Sequence, residues 1–396
     1  MPMPLEGLRI LSVSQFGAGP FGTMTLADLG AEIIKIEDPT VGGDVSRGMG
    51  PAHRGVDSLY FQCFNRNKKS LLLNLSSSEG KAIFHRLVKI SHGVFNNLRG
   101  DVPAKLGLTY SALREHNPAI VCCSLSAYGT TGPQATLPGY DPLLQASEGY
   151  MSVTGDPGEA PKKCGVSVID FAGGFAGVLG LVSGILGAQR TGAGCDVDVS
   201  LRDTAISMLN YHAIWYLNLG MEPKQTADSA HSALVPGQTF PTRDGYLAIF
   251  CAKEKFWENL CQLLGRSDLA CDPRFSDYDQ RFQHKDILLP ILQHEFAAKT
   301  TAEWLALLTG KVPCAPVRSI AETLDDPILK ENGMIAEVDH PMFGKVREAG
   351  CPIKIPGEKM QDRPGPALGQ HTDEILKSYL GMTADEIEKL RERGVV

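Results

Sequence analysis

Residues 8–37, LRILSVSQFGAGPFGTMTLADLGAEIIKIE, read as strand, glycine turn, helix and strand. The run LRILSVS (8–14) has strand composition and stops before Gly17, and EIIKIE (32–37) resumes it. FGTMTLADLG (21–30), between them, carries apolar residues at helical spacing and ends on a glycine. Parallel neighbours in a sheet need a crossover connection, which a helix supplies, so this short stretch predicts a parallel βαβ unit.

The alternation continues outward. SLLLNL (70–75), HGVFNN (92–97) and AIVCCSLS (119–126) read as strands, and SSSEGKAIFHRLVKI (76–90) and TYSALREHN (109–117) as helices. Ser76 and Glu79 stand in capping-box spacing at the start of the first. The fold class is α/β, with a doubly wound, Rossmann-like large domain.

Gly17, Gly19 and Gly22 satisfy G-x-G-x-x-G, and Glu37 ends the next strand, where a ribose-binding acid would stand. That acid lies only fifteen residues beyond the last glycine, and Pro20 removes a backbone donor from the turn. A tight strand-to-helix turn is the preferred reading over a nicotinamide site.

The second decisive stretch runs from Cys164 to Arg190, where CGVSVID, read as a strand, delivers Asp170 onto FAGGFAGVLGLVSGILGAQ. Gly173, Gly177, Gly180, Gly184 and Gly187 form one helical stripe without side chains, which another backbone or a ligand can approach. By residue type alone, Asp170 reads as an N-cap. Phe171–Gln189 is nineteen residues without a charge, close to a membrane span, but six glycines and the lack of a basic flank favour a buried helix of a soluble protein.

A chain of 396 residues with a net charge of −7 has room for two domains and a deep cleft, and it disfavours nucleic acid and anionic membrane as partners. The ten cysteines show neither C-x-x-C nor zinc-like spacing and read as buried small hydrophobes. With a start, MPMPLEGLRILSVS, that lacks leader character, they point to the cytoplasm. No H-E-x-x-H or G-x-S-x-G is present, so neither metal nor serine chemistry is expected; His231 and His371 fall in loops.

Beyond DVDVSLRDTAISMLNYHAIWYLNLG (196–220), a strand and a helix, periodicity is lost over EPKQTADSAHSALVPG (222–237). A smaller α+β unit follows, with a strand near GYLAIF and helices near KFWENLCQLLG, HKDILLPILQHEFAAK and TAEWLALLTG. A proline- and glycine-rich return over 339–369 leads to two closing helices, the last with a Thr383–Glu386 capping box and a Gly394 stop. Arg66, Lys68 and Lys69 before one strand, and Arg99 and Lys105 after another, are either phosphate ligands or solvated surface charge.

These blocks, taken in order, resemble the family III CoA-transferases, which include carnitine and formyl-CoA transferases and the divergent α-methylacyl-CoA racemases. The landmarks are residues 5–37, YFQCFNRNKKSLLLNL, LGLTYSALREHNPAIV, YGTTGP, PGYDPLLQA, GVSVIDFAGG, RTGAGCDVDVSLRDTA and LGQHTDEIL, which span nearly the whole chain. The resemblance implies that Asp170 is the nucleophile, ionised at an ordinary pKa near 3.9, with anhydride and aspartyl-CoA thioester intermediates. The helix start after Asp170 is the candidate source of oxyanion donors.

The resemblance also implies contacts to coenzyme A from Gly17, Ala18, Leu73, Asn74, Leu75, Ser76, Asn97, Leu98, Arg99, Lys105, Tyr140 and Asp141. Lys105 stands where the family usually has arginine, and Leu98 where it has an aromatic. Tyr140 replaces the histidine that serves the racemases as acid-base partner. Formyl-CoA transferases carry glutamine at Gly17 and a glycine run where this chain has Val235-Pro236-Gly237-Gln238, so oxalate is not the expected acceptor.

The implied partners are acyl-CoA and a carboxylic acid, with no metal, no tightly bound cofactor and no nucleic acid or membrane, in an interlocked homodimer. The expected domains are 1–205 with 330–396 (large, CoA-binding) and 225–325 (small), with linkers at 206–224 and 326–340. A racemase, or a non-catalytic CoA-binding protein with Asp170 as a helix cap, are the alternatives.

Overall fold

In the computed structural model, which describes residues 3–356 and 362–396, the chain forms two compact units. The first comprises Met1–Glu148, Gly165–Asn210 and Pro327–Val396; the second comprises Gly149–Cys164 and Tyr211–Asp326. The sequence reading keeps 149–164 in the large domain. These residues group with the second unit because Gln225 Nε2 donates to the Thr154 carbonyl (2.9 Å) and the Asp228 N–H to Asp156 Oδ1 (3.3 Å).

Six parallel strands form the sheet of the first unit: β1 (Arg9–Val13), β2 (Glu32–Glu37), β3 (Lys69–Leu72), β4 (Gly93–Asn96), β5 (Val121–Ser126) and β6 (Asp196–Ser200). Their order is β3-β2-β1-β4-β5-β6. The chain winds outward from β1, then returns to its other side. The switch point therefore lies between β1 and β4, where the loops leaving the carboxyl ends diverge and open a crevice.

Helices α1 (Ala18–Asp28), α2 (Ser78–Val88), α3 (Asp141–Ser147) and α4 (Val168–Thr191) belong to this unit. The cap of α2 is Ser77, whose hydroxyl accepts from the Gly80 N–H, rather than Ser76; Glu79 pairs with Arg393 instead of closing a box. TYSALREHN keeps one short helix, Tyr110–Leu113. CGVSVID (164–170), read as a strand, is not one: 164–167 are irregular and the helix begins at Val168.

The glycine stripe of α4 receives the sheet, not a ligand. Gly177 faces Phe95 and Leu125, Gly180 faces Val197, and a Cβ at Gly184 would stand 2.7 Å from Val121. One position off the stripe, a Cβ at Gly22 of α1 would stand 2.5 Å from the Gly174 carbonyl, so the two helix backbones touch. Helix α4 is long and apolar enough to cross a membrane; here it is packed on β4, β5 and β6.

The returning tail completes the core. Ile375, Leu376, Ile387, Leu390, Val395 and Val396 pack with Leu11, Ile34, Leu71 and Leu87. The Thr383–Glu386 capping box forms as read. Of the proline- and glycine-rich return, residues 357–361 lie outside those described.

The second unit holds an antiparallel sheet of β7 (Gly237–Pro241), β8 (Tyr246–Phe250) and β9 (Cys314–Pro316), ordered β9-β8-β7. Trp257, Leu260, Leu288, Phe296 and Trp304, from the helices the sequence indicates, pack with Phe240, Leu247 and Ile249. The helix read over 201–220 divides into Leu201–Met208 and α5 (Tyr211–Leu219), with Asn210 between them at φ +43°. The cysteines divide too: Cys122, Cys123, Cys251, Cys261 and Cys351 are buried, whereas Cys63, Cys195 and Cys271 are exposed.

Candidate active site

Asp170 sits in the first turn of α4, three positions beyond the N-cap Ser167. It does not cap the helix. Asp141, the first residue of α3, does so from a distance: its Oδ2 accepts the N–H groups of Ile169 (2.8 Å) and Asp170 (3.2 Å), and its Oδ1 accepts from Gln145 Nε2 (2.6 Å). Asp141 is buried and wholly engaged, so it does not line the crevice.

Released from capping, the Asp170 carboxylate has no hydrogen-bond donor among the described residues and looks into the crevice. Burial, with the Asp141 charge beside it, pushes its carboxyl up to about 7. This corrects the expectation of an ordinary aspartate. The expected oxyanion donors are also corrected: the N–H groups of residues 168–171 are all taken, by Val166, Asp141 and Ser167.

Open donors lie instead at the start of α1. Gly17 is its N-cap, no side chain caps it, and the N–H groups of Ala18 and Gly19 have no partner among the described residues. A Cβ at Gly17 would stand 3.4 Å from Asp170 Oδ2, so the bare backbone of this turn faces the acid. The G-x-G-x-x-G segment thus serves close approach at Gly17 and helix packing at Gly22.

The turn is held rigidly. Lys35, fully buried, donates to the Ser14 carbonyl and to Asp44 Oδ2 (2.6 Å each), and Asp44 Oδ1 accepts the Phe16 N–H (3.0 Å). Phe16 is kept at φ +68°, with its ring beside those of Tyr60 and Tyr140 (5.9 and 6.0 Å between centroids). A non-glycine residue in this region costs about 1 kcal/mol or more, a price structures sustain at functional sites. Sequence reasoning missed Phe16, Tyr60, Lys35 and Asp44; their signal is three-dimensional.

Two neighbouring cavities contain most of the expected ligand residues. The first, about 530 Å³, is lined by Asp170 together with Gly17, Ala18, Asn97, Leu98, Arg99 and Tyr140. The second, about 220 Å³, lies over β2 and β3 and is lined by Leu73, Leu75 and Ser76. Gln15 and Leu98 border both. Asn97 also braces the turn, exchanging hydrogen bonds with the Gln15 N–H and carbonyl (2.9 and 2.8 Å).

Three expected ligands line neither cavity: Asp141, Asn74 and Lys105. Asn74 is tied into the chain, its N–H donating to the Val395 carbonyl (2.8 Å) and its Oδ1 accepting from Ser76 (2.9 Å). Lys105 and Arg99 both pair with Asp101, whose carboxyl they hold well below the usual range.

The other basic run is neither phosphate ligand nor surface charge. Arg66 is buried on Asp28 (2.5 Å), Lys68 donates to the Pro20 and Phe64 carbonyls (2.8 Å each), and Lys69 meets Glu374 (2.8 Å) and Glu32 (3.0 Å). Glu37 is likewise consumed, by Arg47 (2.8 Å) and Ser70 (2.6 Å). His371 Nδ1 accepts the Ser70 N–H (3.2 Å), a structural role. No metal-binding group of three or more histidine, cysteine or acidic residues occurs among the described residues.

Comparison with known proteins gives the family. The model of CoA-transferase family III matches residues 5–372. A succinyl-CoA:glutarate CoA-transferase of Mus musculus is 36% identical over 99% of this chain and 90% of its own. An acetyl-CoA:oxalate CoA-transferase of Acetobacter aceti is 33% identical over 95% and 96%. The crystal structure of a CAIB/BAIF family protein from Brucella suis superposes with a TM-score of 0.82 at 32% identity, covering 96% of this chain and 100% of that one.

Proposed function

The chain belongs to CoA-transferase family III, and from that membership we propose that it carries coenzyme A from an acyl-CoA donor to a free carboxylic acid on Asp170. It is an acyl-CoA:carboxylate CoA-transferase; the proposal concerns how. The observation that carries it is the unpaired Asp170 carboxylate in a crevice at the switch point, beside the open N–H groups of α1.

An Asp170 oxygen attacks the thioester carbonyl, the C–S bond breaks, and CoA thiolate leaves a mixed anhydride. The thiolate then attacks the Asp170 acyl carbon, releasing the donor acid and leaving aspartyl-CoA thioester. The acceptor carboxylate attacks that thioester, thiolate departs again, and its return to the acceptor's acyl carbon gives the new acyl-CoA and restores Asp170. A carboxyl near 7 suits this cycle, being more nucleophilic than an ordinary carboxylate yet substantially ionised at neutral pH.

Each tetrahedral intermediate carries an oxyanion. The Ala18 and Gly19 N–H groups are the donors we assign to it, each such donor being worth about 2.7–4 kcal/mol. The pantetheine arm takes the larger cavity and the nucleotide end the smaller, passing Leu98, with Arg99 and Lys105 for the phosphates. Among the described residues lining the larger cavity there is no histidine, which favours transfer over racemisation.

Small dicarboxylic acids are the substrate class we infer, on the likeness to the succinyl-CoA:glutarate enzyme. The interlocked homodimer is also proposed. Leu179 and Leu186 of α4 are 68% and 57% exposed, and in the second unit Ile214, Leu217 and Leu219 of α5 are 60%, 77% and 67% exposed, faces that a second copy would cover.

Trapping tests the cycle. Hydroxylamine added during turnover with succinyl-CoA and glutarate should convert Asp170 to its hydroxamate, located by peptide mass spectrometry. Inactivation without an adduct on Asp170 would sink the mechanism.

A further inference from the structure

A third cavity, about 590 Å³, lies wholly within the second unit and has no part in the reading above. It opens along the sheet β7-β8-β9, with Ala248, Ile249 and Phe250 among its walls. That volume is typical of a small-molecule site.

Its polar lining is one-sided. Lys224, His212 and His231 contribute, and no aspartate or glutamate does. The arginines of this unit are taken up in ion pairs, Arg243 with Glu303, Arg266 with Glu295, Arg274 with Asp272, Arg281 with Glu254 and Arg318 with Asp326, so the cationic charge at this cavity is a lysine's. Lys224 has no ion pair and no hydrogen bond among the described residues. The nearby Asp228 is turned away, its Oδ2 accepting from Gln293 Nε2 (3.0 Å).

The neutral donors are also waiting. His231 Nδ1 accepts the Ala233 N–H (3.2 Å), which in a neutral ring leaves the proton on Nε2, and that N–H has no acceptor among the described residues. The ring is fixed between Tyr211 and Phe250, at 5.7 and 5.6 Å. Gln238 is only 5% exposed, yet its side-chain amide has no partner among the described residues. His212 Nδ1 is buried and has no hydrogen-bond partner among the described residues. Of these groups His212 Nδ1 is the fully buried one, and the others face the cavity with donors that no protein acceptor takes among the described residues, half of a hydrogen-bond set.

We propose that this cavity binds the carboxylate of a free organic acid, with Lys224 as counter-charge and the His231 Nε2–H and Gln238 amide as donors. One lysine and neutral donors, without an arginine fork, match a singly charged carboxylate better than a phosphate dianion. That the acid is the transferase's own acceptor rests on the function proposed above; the binding itself does not.

The test uses the full-length protein carrying Asp170→Ala, so that no turnover intervenes, titrated by calorimetry with glutarate, with acetate and with inorganic phosphate. Glutarate should bind saturably, and adding Lys224→Ala or Gln238→Leu should weaken it about tenfold or more, the range for hydrogen bonds to a charged group. Lys224 is exposed, so its removal leaves the fold intact. In the Asp170 enzyme, Lys224→Ala should raise KM for the acid and leave KM for acyl-CoA unchanged. Glutarate affinity unaltered by both substitutions, or a preference for phosphate, overturns the proposal. Turnover surviving Asp170→Ala would instead remove the transferase mechanism, while the binding result would stand.

Discussion

Helices α1 and α4 begin at the same crevice, but their first turns are chemical opposites. At α4 every early N–H is occupied, two of them by the buried carboxylate of Asp141, and the acid carried there has no donor among the described residues. At α1 no side chain caps the start, Gly17 and Ala18 line the crevice, and the Ala18 and Gly19 N–H groups have no partner among the described residues. A helix start favours negative charge. Asp141 uses up that effect at α4, so Asp170 is destabilised as an anion, while α1 keeps it, in the proposed cycle, for charge that appears only during reaction.

The most severe way to break this contrast is to remove the acid. Asp170→Ala or Asp170→Asn should lower CoA transfer by about 10³-fold or more, as loss of a covalent nucleophile does, with circular dichroism unchanged. Stability should move the other way. The folded-state pKa, about 7, lies above the unfolded value of about 3.9, so the native state holds its proton longer and Asp170 costs stability as pH rises from about 4 to about 7. Asp170→Asn should therefore raise Tm at pH 8, with the gain shrinking as pH falls toward 4; an unchanged or lower Tm at pH 8 would refute the destabilised carboxylate.

Gly17→Ala attacks the other side. Gly17 has φ −104°, which alanine tolerates, so folding should survive. The new methyl would stand 3.4 Å from Asp170 Oδ2, in the space an incoming thioester carbonyl needs. We expect kcat/KM to fall about 10²-fold, the scale of a small misplacement of reacting groups, with Tm within a degree or two. Full activity would mean that substrate does not pass between α1 and Asp170.

Asp141→Asn sharpens the contrast more gently. The amide oxygen still accepts from the α4 N–H groups, but the repelling charge is gone, so the Asp170 carboxyl should fall toward the ordinary range. In the wild type, kcat/KM for acyl-CoA should rise with pH through about 7 as Asp170 ionises. In Asp141→Asn that limb should move to lower pH, and the plateau rate should drop because a less basic carboxylate is a weaker nucleophile. An unmoved limb would assign the pH dependence to another group.

Why this pairing escaped sequence reading is instructive. The parallel sheet was legible because each βα unit is local: β1, α1 and β2 lie within 37 residues, and their order follows from composition alone. Asp170 was singled out by resemblance. Its environment was not, since the partner that caps α4 is Asp141, 28 residues from the N–H of Ile169 and separated from it by a segment that folds with the second unit. The basic run failed for a related reason: Arg66 and Lys68 look like surface charges until their partners, Asp28 and the Pro20 carbonyl, are supplied by α1, 38 and 48 residues earlier in the chain. Buried ion pairs are invisible to periodicity because each member alone reads as exposed.

The smallest expected effect lies at the rim, where charge is shared rather than withheld. Asp101 holds both Arg99 and Lys105, so the pair presents about one net positive charge to a CoA phosphate instead of two. Lys105 is 66% exposed, and interactions of such groups in water are worth about 0.2–1 kcal/mol. Lys105→Ala should thus raise KM for acyl-CoA only about two- to fourfold at low salt, with kcat intact. The difference should vanish near 0.5 M salt, where screening is shorter than about 5 Å. A salt-independent loss in kcat would place Lys105 at the reacting centre and dissolve the division between rim and helix starts.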